Sequence, residues 1–320
     1  MRRREFLQRA ACGMGAAWLA GRALANGAWA QEMFAGAATV NPRHLTSKEA
    51  SYISGNGLPR LARKFEASDT VALGQTGIRT SRLAMGTGTI GVNHHSNQTA
   101  LGMDGPGSLP RLLLNGYDHG LRFFDAADSY GSHPYVAKAL KEVPRDKVTV
   151  LTKSWARDAA TARADLDRFR KELGTDYLDI CLMHCLTEPD WTQRFRGVMD
   201  VLSEAKERGI IRAHGCSCHS IEALKAASKS PWVEVDLARI NPIGSHMDAE
   251  PDRVVSVLRD MRAAGKAVIG MKILGQGDMR TRQDDALKYA LSLDVLDAFT
   301  IGAESKAEQE DLIRRIGLAA

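Results

Sequence analysis

Short β-branched or apolar runs alternate with amphipathic stretches along most of this 320-residue chain, and that alternation limits the fold more than any other feature. The runs are Leu121–Phe124, Val148–Leu151, Leu178–Met183, Ile210–Ala213, Val233–Ile240, Ala267–Met271 and Val295–Ile301. Each has the length and residue types of a buried strand. Helical periodicity lies between them, clearest over Ala160–Leu173, Trp191–Arg208, Pro251–Ala264 and Arg282–Leu291, and Gly209 and Gly265 stand where a left-handed cap ends a helix. Strand and helix in alternation over roughly 250 residues point to a parallel sheet, and a closed (β/α)8 barrel of the TIM type is the commonest solution at that size. Catalytic groups in such a barrel gather at the C-terminal ends of the strands.

Two segments precede the barrel pattern, which is assigned to residues 71–320. Residues 1–30 have a basic start at Arg2–Arg4, an uncharged apolar stretch from Ala10 to Gly21 and small residues around Ala28 and Ala30, the three parts of a secretory signal. Arg3 and Arg4 ahead of Phe6 and Leu7 are similar to the address of the twin-arginine export machinery, which moves folded proteins out of the bacterial cytoplasm. The expected destination is the periplasm, and cargo folded before export usually carries a cofactor. The apolar stretch is shorter than the roughly 20 residues of a membrane span, so no stable span is expected in the mature chain. Residues 31–70 lack sustained periodicity, contain Gly55, Asn56, Gly57 and Pro59, and read as an extension or linker. Charges of both signs are mixed throughout with a net +5, which leaves no stripe for nucleic acid.

The strand ends supply the chemistry. Asp125 and Tyr130 follow the run Leu121–Phe124, Lys153 follows Val148–Leu151, and His184 follows Leu178–Met183, so all four would converge on one mouth. Reducing a carbonyl by hydride transfer leaves an alkoxide, which needs a proton donor beside the oxygen. A phenol has an ordinary pKa of about 10 and is a poor acid at neutral pH. A Lys153 ammonium beside Tyr130 would favour the phenolate and make the phenol a better acid, with Asp125 holding Lys153 and His184 orienting the carbonyl. Taken singly, each residue has a structural reading: a packing aromatic, a solvated strand end, a helix cap, a core histidine. Their joint placement favours catalysis.

The spacing of Asp125, Tyr130, Lys153 and His184, together with Phe124, Ala126, Gly131 and the run Gly174, Thr175, Asp176, Tyr177, resembles the aldo/keto reductases from about Leu73 to Leu312. The resemblance implies an NAD(P)H-dependent reductase of aldehydes or ketones, sugar-like ones included, or the reverse dehydrogenase, with Tyr130 as general acid. It also implies cofactor contacts from Gly86, Thr87, Asp125, Ser217, Cys218, Met271, Lys272, Leu274, Gly275, Gly277, Gly302, Glu304, Ser305 and Gln309. The family's serine and asparagine on one strand and glutamine on the next fall here on Ser217, Cys218 and Leu237, so only the serine is kept. Met271 replaces the aromatic that often stacks on the nicotinamide; a thioether can still cover a ring. Lys272 and the following glycines suit a pyrophosphate, whereas Glu304 suits a ribose hydroxyl and repels a 2′-phosphate. The expectation is weak discrimination or a preference for NADH, with Lys306 able to overturn it by reaching back. NADH against NADPH therefore stays open.

Cys181, Cys185, Cys216 and Cys218 remain beyond the signal, too few to staple a chain of this size. Their spacings match no common zinc or cluster pattern, and strand alternation sends Cys181 and Cys185 away from His184, so no metal is assigned. A disulfide stays open, as does a reactive Cys218 near the nicotinamide. His94 and His95 read as surface residues of a loop that borders the mouth, and Trp155 and Trp191 either line the pocket or pack beneath it. The chain stops soon after the last helix, which predicts an open site without a long C-terminal covering loop. The altered nicotinamide contacts leave a second function in view, a cofactor-binding regulatory protein on the same barrel with little turnover. Hydrolysis or isomerisation is weaker, since the strand ends offer only Asp125 with Asp128 nearby.

Overall fold

The computed structural model describes residues 61 and 63–319. The expected signal peptide, and the expected extension as far as residue 60, lie outside the described residues. A short antiparallel hairpin, β1 (Thr70–Ala72) and β2 (Arg79–Ser81), comes first. A closed barrel of parallel strands follows: β3 (Leu83–Gly86), β4 (Phe123–Asp125), β5 (Thr149–Ser154), β6 (Leu178–Leu186), β7 (Ile211–Cys218), β8 (Val235–Arg239), β9 (Ala267–Met271) and β10 (Ala298–Ile301). β10 pairs with β3 and closes the circle, giving the (β/α)8 architecture that the alternation predicts.

The helices on the outside are α1 (Leu109–Asp118), α2 (His133–Leu140), α3 (Ala159–Leu173), α4 (Trp191–Arg194), α5 (Arg196–Glu207), α6 (Ile221–Lys229), α7 (Pro251–Ala263), α8 (Gln283–Ser292) and α9 (Lys306–Leu318). Local chemistry sets their starts. Asp158 accepts from Thr161 N, Ser220 from Ala223 N and Ser305 from Glu308 N, while Pro110, Pro134 and Pro251 stand in first turns that need no donor. No helix among the described residues is long and apolar enough to cross a membrane.

Period-two alternation sorts each strand into an inner and an outer face. Ala84, Phe123, Leu151, Ile180, Leu182, Ala213, Val235, Leu237, Ala267, Ile269 and Ala298 fill the barrel interior, together with Leu73 and Ile78 beside the β1–β2 hairpin. The outer faces join the helices in a second apolar layer that includes Phe124, Cys181, Cys216 and Cys218, and Phe65 and Ala67 pack into it as well. With the interior filled by side chains, the C-terminal mouth remains as the place for a ligand.

Three local differences from expectation have physical causes. β3 spans only four residues and carries little pattern of its own, so no run announces it. The helix expected over Trp191–Arg208 breaks at Phe195, whose φ of −109° and ψ of 28° leave the helical range. In β6 the register shifts between Met183 and Leu186, and Cys185 adopts φ of 56°. That bulge ends the alternation: Cys181 faces the helices as expected, whereas Cys185 lies within electrostatic reach of Arg239, Arg157 and Lys272 at the mouth.

Candidate active site

The mouth is built by repeating one step on five of the eight barrel strands. Two residues beyond an interior apolar side chain, on the same face, comes a polar one: Phe123 then Asp125, Leu151 then Lys153, Leu182 then His184, Leu237 then Arg239, Ala298 then Thr300. A polar ring therefore sits on an apolar floor.

Lys153 is fully buried, and its Nζ lies 2.5 Å from Asp125 Oδ1 and 2.9 Å from the Ala126 carbonyl. The other Asp125 oxygen accepts from Thr300 Oγ1 at 2.9 Å, a partner that the sequence reading missed. Burial alone would lower the pKa of Lys153, but Asp125 and Tyr130 outweigh it and the net direction is up, so Lys153 stays a cation. Its ammonium lies 4.7 Å from the centroid of the Tyr130 ring. Burial raises the Tyr130 pKa, Lys153 opposes that rise and Asp125 adds to it. The net direction is upward, so Lys153 acts in the expected direction but does not outweigh burial.

Backbone covers Tyr130 from the loop after β3. A Cβ on Gly88 would stand 2.2 Å from Tyr130 Cε2, and one on Gly91 2.2 Å from Cδ1, so only glycine allows the chain this close to the ring. His184 meets Tyr130 edge-on at 5.7 Å between centroids and lies 4.9 Å from Trp155. Burial, followed by charge interactions with Lys153, His219, Arg157 and Lys272, pushes His184 well below its ordinary pKa of 6.5, so it is a neutral imidazole. Its Nδ1 is buried without a partner among the described residues. Arg157 fixes the strand end beneath it by donating to the His184 carbonyl at 2.8 Å.

The expected cofactor residues divide into three groups. Ser217, Met271 and Lys272 are at the mouth with Asp125: the Ser217 hydroxyl accepts from Cys185 N at 3.0 Å, and Lys272 Nζ donates to Gln276 Oε1 at 2.9 Å. Lys272 leads into the loop that holds Leu274, Gly275 and Gly277. Gly302, Glu304 and Ser305 sit at the start of α9, where Glu304 accepts from Asn97 Nδ2 at 2.6 Å and Glu308 accepts from Glu304 N at 2.8 Å. The remaining residues belong to the scaffold. Thr87 Oγ1 donates to the Asp125 carbonyl at 2.9 Å and stands 2.8 Å from Ser132 Oγ. A Cβ on Gly86 would meet Gly302 N at 2.9 Å. Gln309 is buried and accepts from Asn115 of α1 at 2.8 Å.

Cys218 points away from the mouth into the layer between barrel and helices, which removes it as a thiol beside the ligand. None of the four described cysteines forms a disulfide. Trp191 is a packing residue, donating to the Ala223 carbonyl and meeting Trp232 edge-on. Lys306 pairs with Glu310 at 3.5 Å and does not reach back to Glu304. Three further mouth residues escaped the sequence reading: Arg157, His219, and Arg239, which pairs with Asp248. For Arg239 the signal was present in its place two residues after Leu237.

Residues 82–312 match the aldo/keto reductase family. Among curated proteins, the chain is 29% identical over 175 residues to the NADH-specific methylglyoxal reductase of Escherichia coli strain K12, covering 46% of this chain and 51% of that protein. It is 32% identical over 167 residues to an aldo-keto reductase of Bacillus subtilis strain 168, covering 48% of each. The chain thus spans about half the length of these curated relatives. The fold is similar to that of an aldo-keto reductase from Bacillus halodurans in its holo form, with a TM-score of 0.63 at 19% identity over 78% of this chain and 90% of that one. With the match covering the barrel and the mouth carrying the expected residues, the chain belongs to the aldo/keto reductase family.

Proposed function

We propose that this protein reduces an aldehyde or ketone to an alcohol with NAD(P)H, with Tyr130 as proton donor. The observation that carries the reading is the buried Asp125–Lys153 pair set against the Tyr130 ring. A nicotinamide dinucleotide asks for a cation at its pyrophosphate and backbone that can come close. Lys272 meets no carboxylate among the described residues, and Gly277 leaves open space where a side chain would stand, so the loop after β9 fits. Ser217 retains its hydroxyl hydrogen for the carboxamide, and Met271 offers its thioether to the ring. The bound nicotinamide supplies the hydride.

The chain's own residues do the rest. Neutral His184 orients the carbonyl oxygen by hydrogen bonding. As charge grows on that oxygen, the Tyr130 O–H bond breaks and its proton moves to the oxygen, giving the alcohol. The phenolate left behind rests beside Lys153, whose charge Asp125 holds in place.

At the start of α9, Glu304 and Glu308 occupy the position where a 2′-phosphate would need cations, and Lys306 is paired elsewhere. We therefore propose a preference for NADH, the cofactor named for the Escherichia coli relative. Leu237 and the outward Cys218 leave fewer amide anchors, which favours as a second reading a regulatory protein that binds cofactor without turnover. Cofactor oxidation measured against a panel of small aldehydes, ketones and sugars decides: the first reading expects turnover faster with NADH, the second binding alone. We also propose that residues 1–30 direct twin-arginine export to the periplasm, from the Arg3, Arg4 pattern. Free dinucleotide is scarce there, so the cofactor would stay bound and be recycled by a second substrate. Ready loss of nucleotide on dilution would contradict that part.

A further inference from the structure

On β7, Cys216 and Cys218 are two residues apart and therefore share the outer face, while the register pairs Cys216 with Asp236 of β8. All three residues are fully buried. The two Sγ atoms are 3.8 Å apart, Cys216 Sγ lies 3.5 Å from Asp236 Oδ1, and the donor atoms of all three lie within 4.8 Å of one another. Zinc bonds of about 2.3 Å to sulfur and about 2.0 Å to oxygen, set at tetrahedral angles, require edges of about 3.8 Å and about 3.5 Å. Two edges of such a coordination tetrahedron are therefore already in place.

A second observation is independent of these distances. Asp236 Oδ2 is buried and has no hydrogen-bond partner among the described residues. A thiol is a weak donor and reaches only the other oxygen, and a buried carboxylate oxygen left alone is costly. Lys266 does not relieve it, because its ammonium donates to the carbonyls of Ser230 and Val233 at 2.5 and 3.0 Å. It does lie close enough to act on Cys216 and Asp236 through charge.

We propose that Cys216, Cys218 and Asp236 bind one zinc-type divalent cation between the barrel and its helices. Asp236 chelates through both oxygens from one corner of the site, since a carboxylate is too narrow to span a tetrahedral edge, and Oδ2 thereby gains its partner beside the two sulfurs. The two S–H bonds break as the ion binds, and their protons pass to solvent. Two thiolates and one carboxylate then face a divalent ion and the Lys266 ammonium, and the formal charges sum to zero. Thiolates select a zinc-type ion over magnesium or calcium. Because the site is closed, the ion enters while the chain folds and afterwards pins β7 to β8. Ser217 lies between the two cysteines and faces the mouth, so the pin fixes one wall of the active site. Sequence spacing hides the site because its ligands come from two strands.

The test uses the full chain, purified without chelator from zinc-supplied cells and dialysed exhaustively. Metal analysis should find about one zinc per chain, retained by the native protein against a chelator and released on denaturation. Changing both Cys216→Ala and Cys218→Ala should remove it, and Asp236→Asn should lower it. Should these variants fail to fold, wild-type protein unfolded with chelator and refolded with Co²⁺ alone keeps the question answerable. It should develop a thiolate-to-cobalt charge-transfer band. Absence of stoichiometric zinc, zinc content unchanged in the double variant, refolding without the band, or recovery of a Cys216–Cys218 disulfide would each overturn the proposal.

Discussion

Tyr130 holds its proton in a place that makes release harder, since burial raises its pKa and Lys153 only opposes the rise. The phenol is thus loaded at neutral pH, and the gain from Lys153 comes when the phenolate appears beside it. Tyr130→Phe should lower kcat for carbonyl reduction by about 10²- to 10⁴-fold, with folding intact by circular dichroism. Lys153→Met should lower kcat too, and it should also destabilise the fold by about 3–5 kcal/mol, because it leaves buried Asp125 without its counter-charge. His184 has its pKa pushed well below 6.5, so it is neutral above that value and should add no inflection to a pH–kcat profile near neutrality. A limb near pH 6.5 that disappears in His184→Asn would contradict a neutral imidazole. Lys272 is lowered by burial and by Arg239 to about 8, so it is a cation below pH 8 and neutral above. Dinucleotide binding should therefore weaken as pH rises through 8, by at most about tenfold per pH unit, and Lys272→Met should abolish that slope in fluorescence titrations.

At the scale of elements, two short segments control the chemistry. The loop after β3 lays Gly88 and Gly91 on the Tyr130 ring, so Gly88→Ala must displace the ring. A shift of about 1 Å is expected to cost about 10²-fold in kcat, read by steady-state kinetics alongside an unchanged melting temperature. The start of α9 carries Glu304 and Glu308, which the proposed cofactor preference sets against a 2′-phosphate. Glu304→Lys should move the ratio of NADPH to NADH affinity toward NADPH by about 3- to 30-fold. Elements with strong local signals were legible: Gly209 and Gly265 mark real helix ends, and the strand runs overlap the observed strands, although the run Ile210–Ala213 ends well before Cys218, where β7 stops. The break at Phe195 and the bulge at Cys185 were not. Both arise from how the chain must turn to meet its neighbours, and neither leaves a distinctive residue type behind.

At the scale of the molecule, the barrel could be read because most strands repeat one rule, an apolar interior residue followed two positions later by a polar one at the mouth. Asp125, Lys153 and His184 obey that rule and were found; Arg239 and Thr300 obey it too and were overlooked, since their roles emerge only when several strands are brought together. Cys218 shows the converse. Matching it to a family position suggested a ligand contact, while strand parity turns it outward. Thr87 and Gln309 likewise serve packing, with their polar groups already satisfied by Asp125 and Asn115. The central claim is hydride delivery to a carbonyl with Tyr130 returning the proton. Its most direct test is a reaction of the full chain with NADH deuterated at both C4 positions and a small aldehyde, followed by mass analysis of the alcohol. Wild-type protein should place one deuterium on the carbinol carbon and Tyr130→Phe should lose nearly all labelled product; unlabelled alcohol, or an equal yield of labelled alcohol from the variant, would contradict hydride delivery with Tyr130 as proton donor.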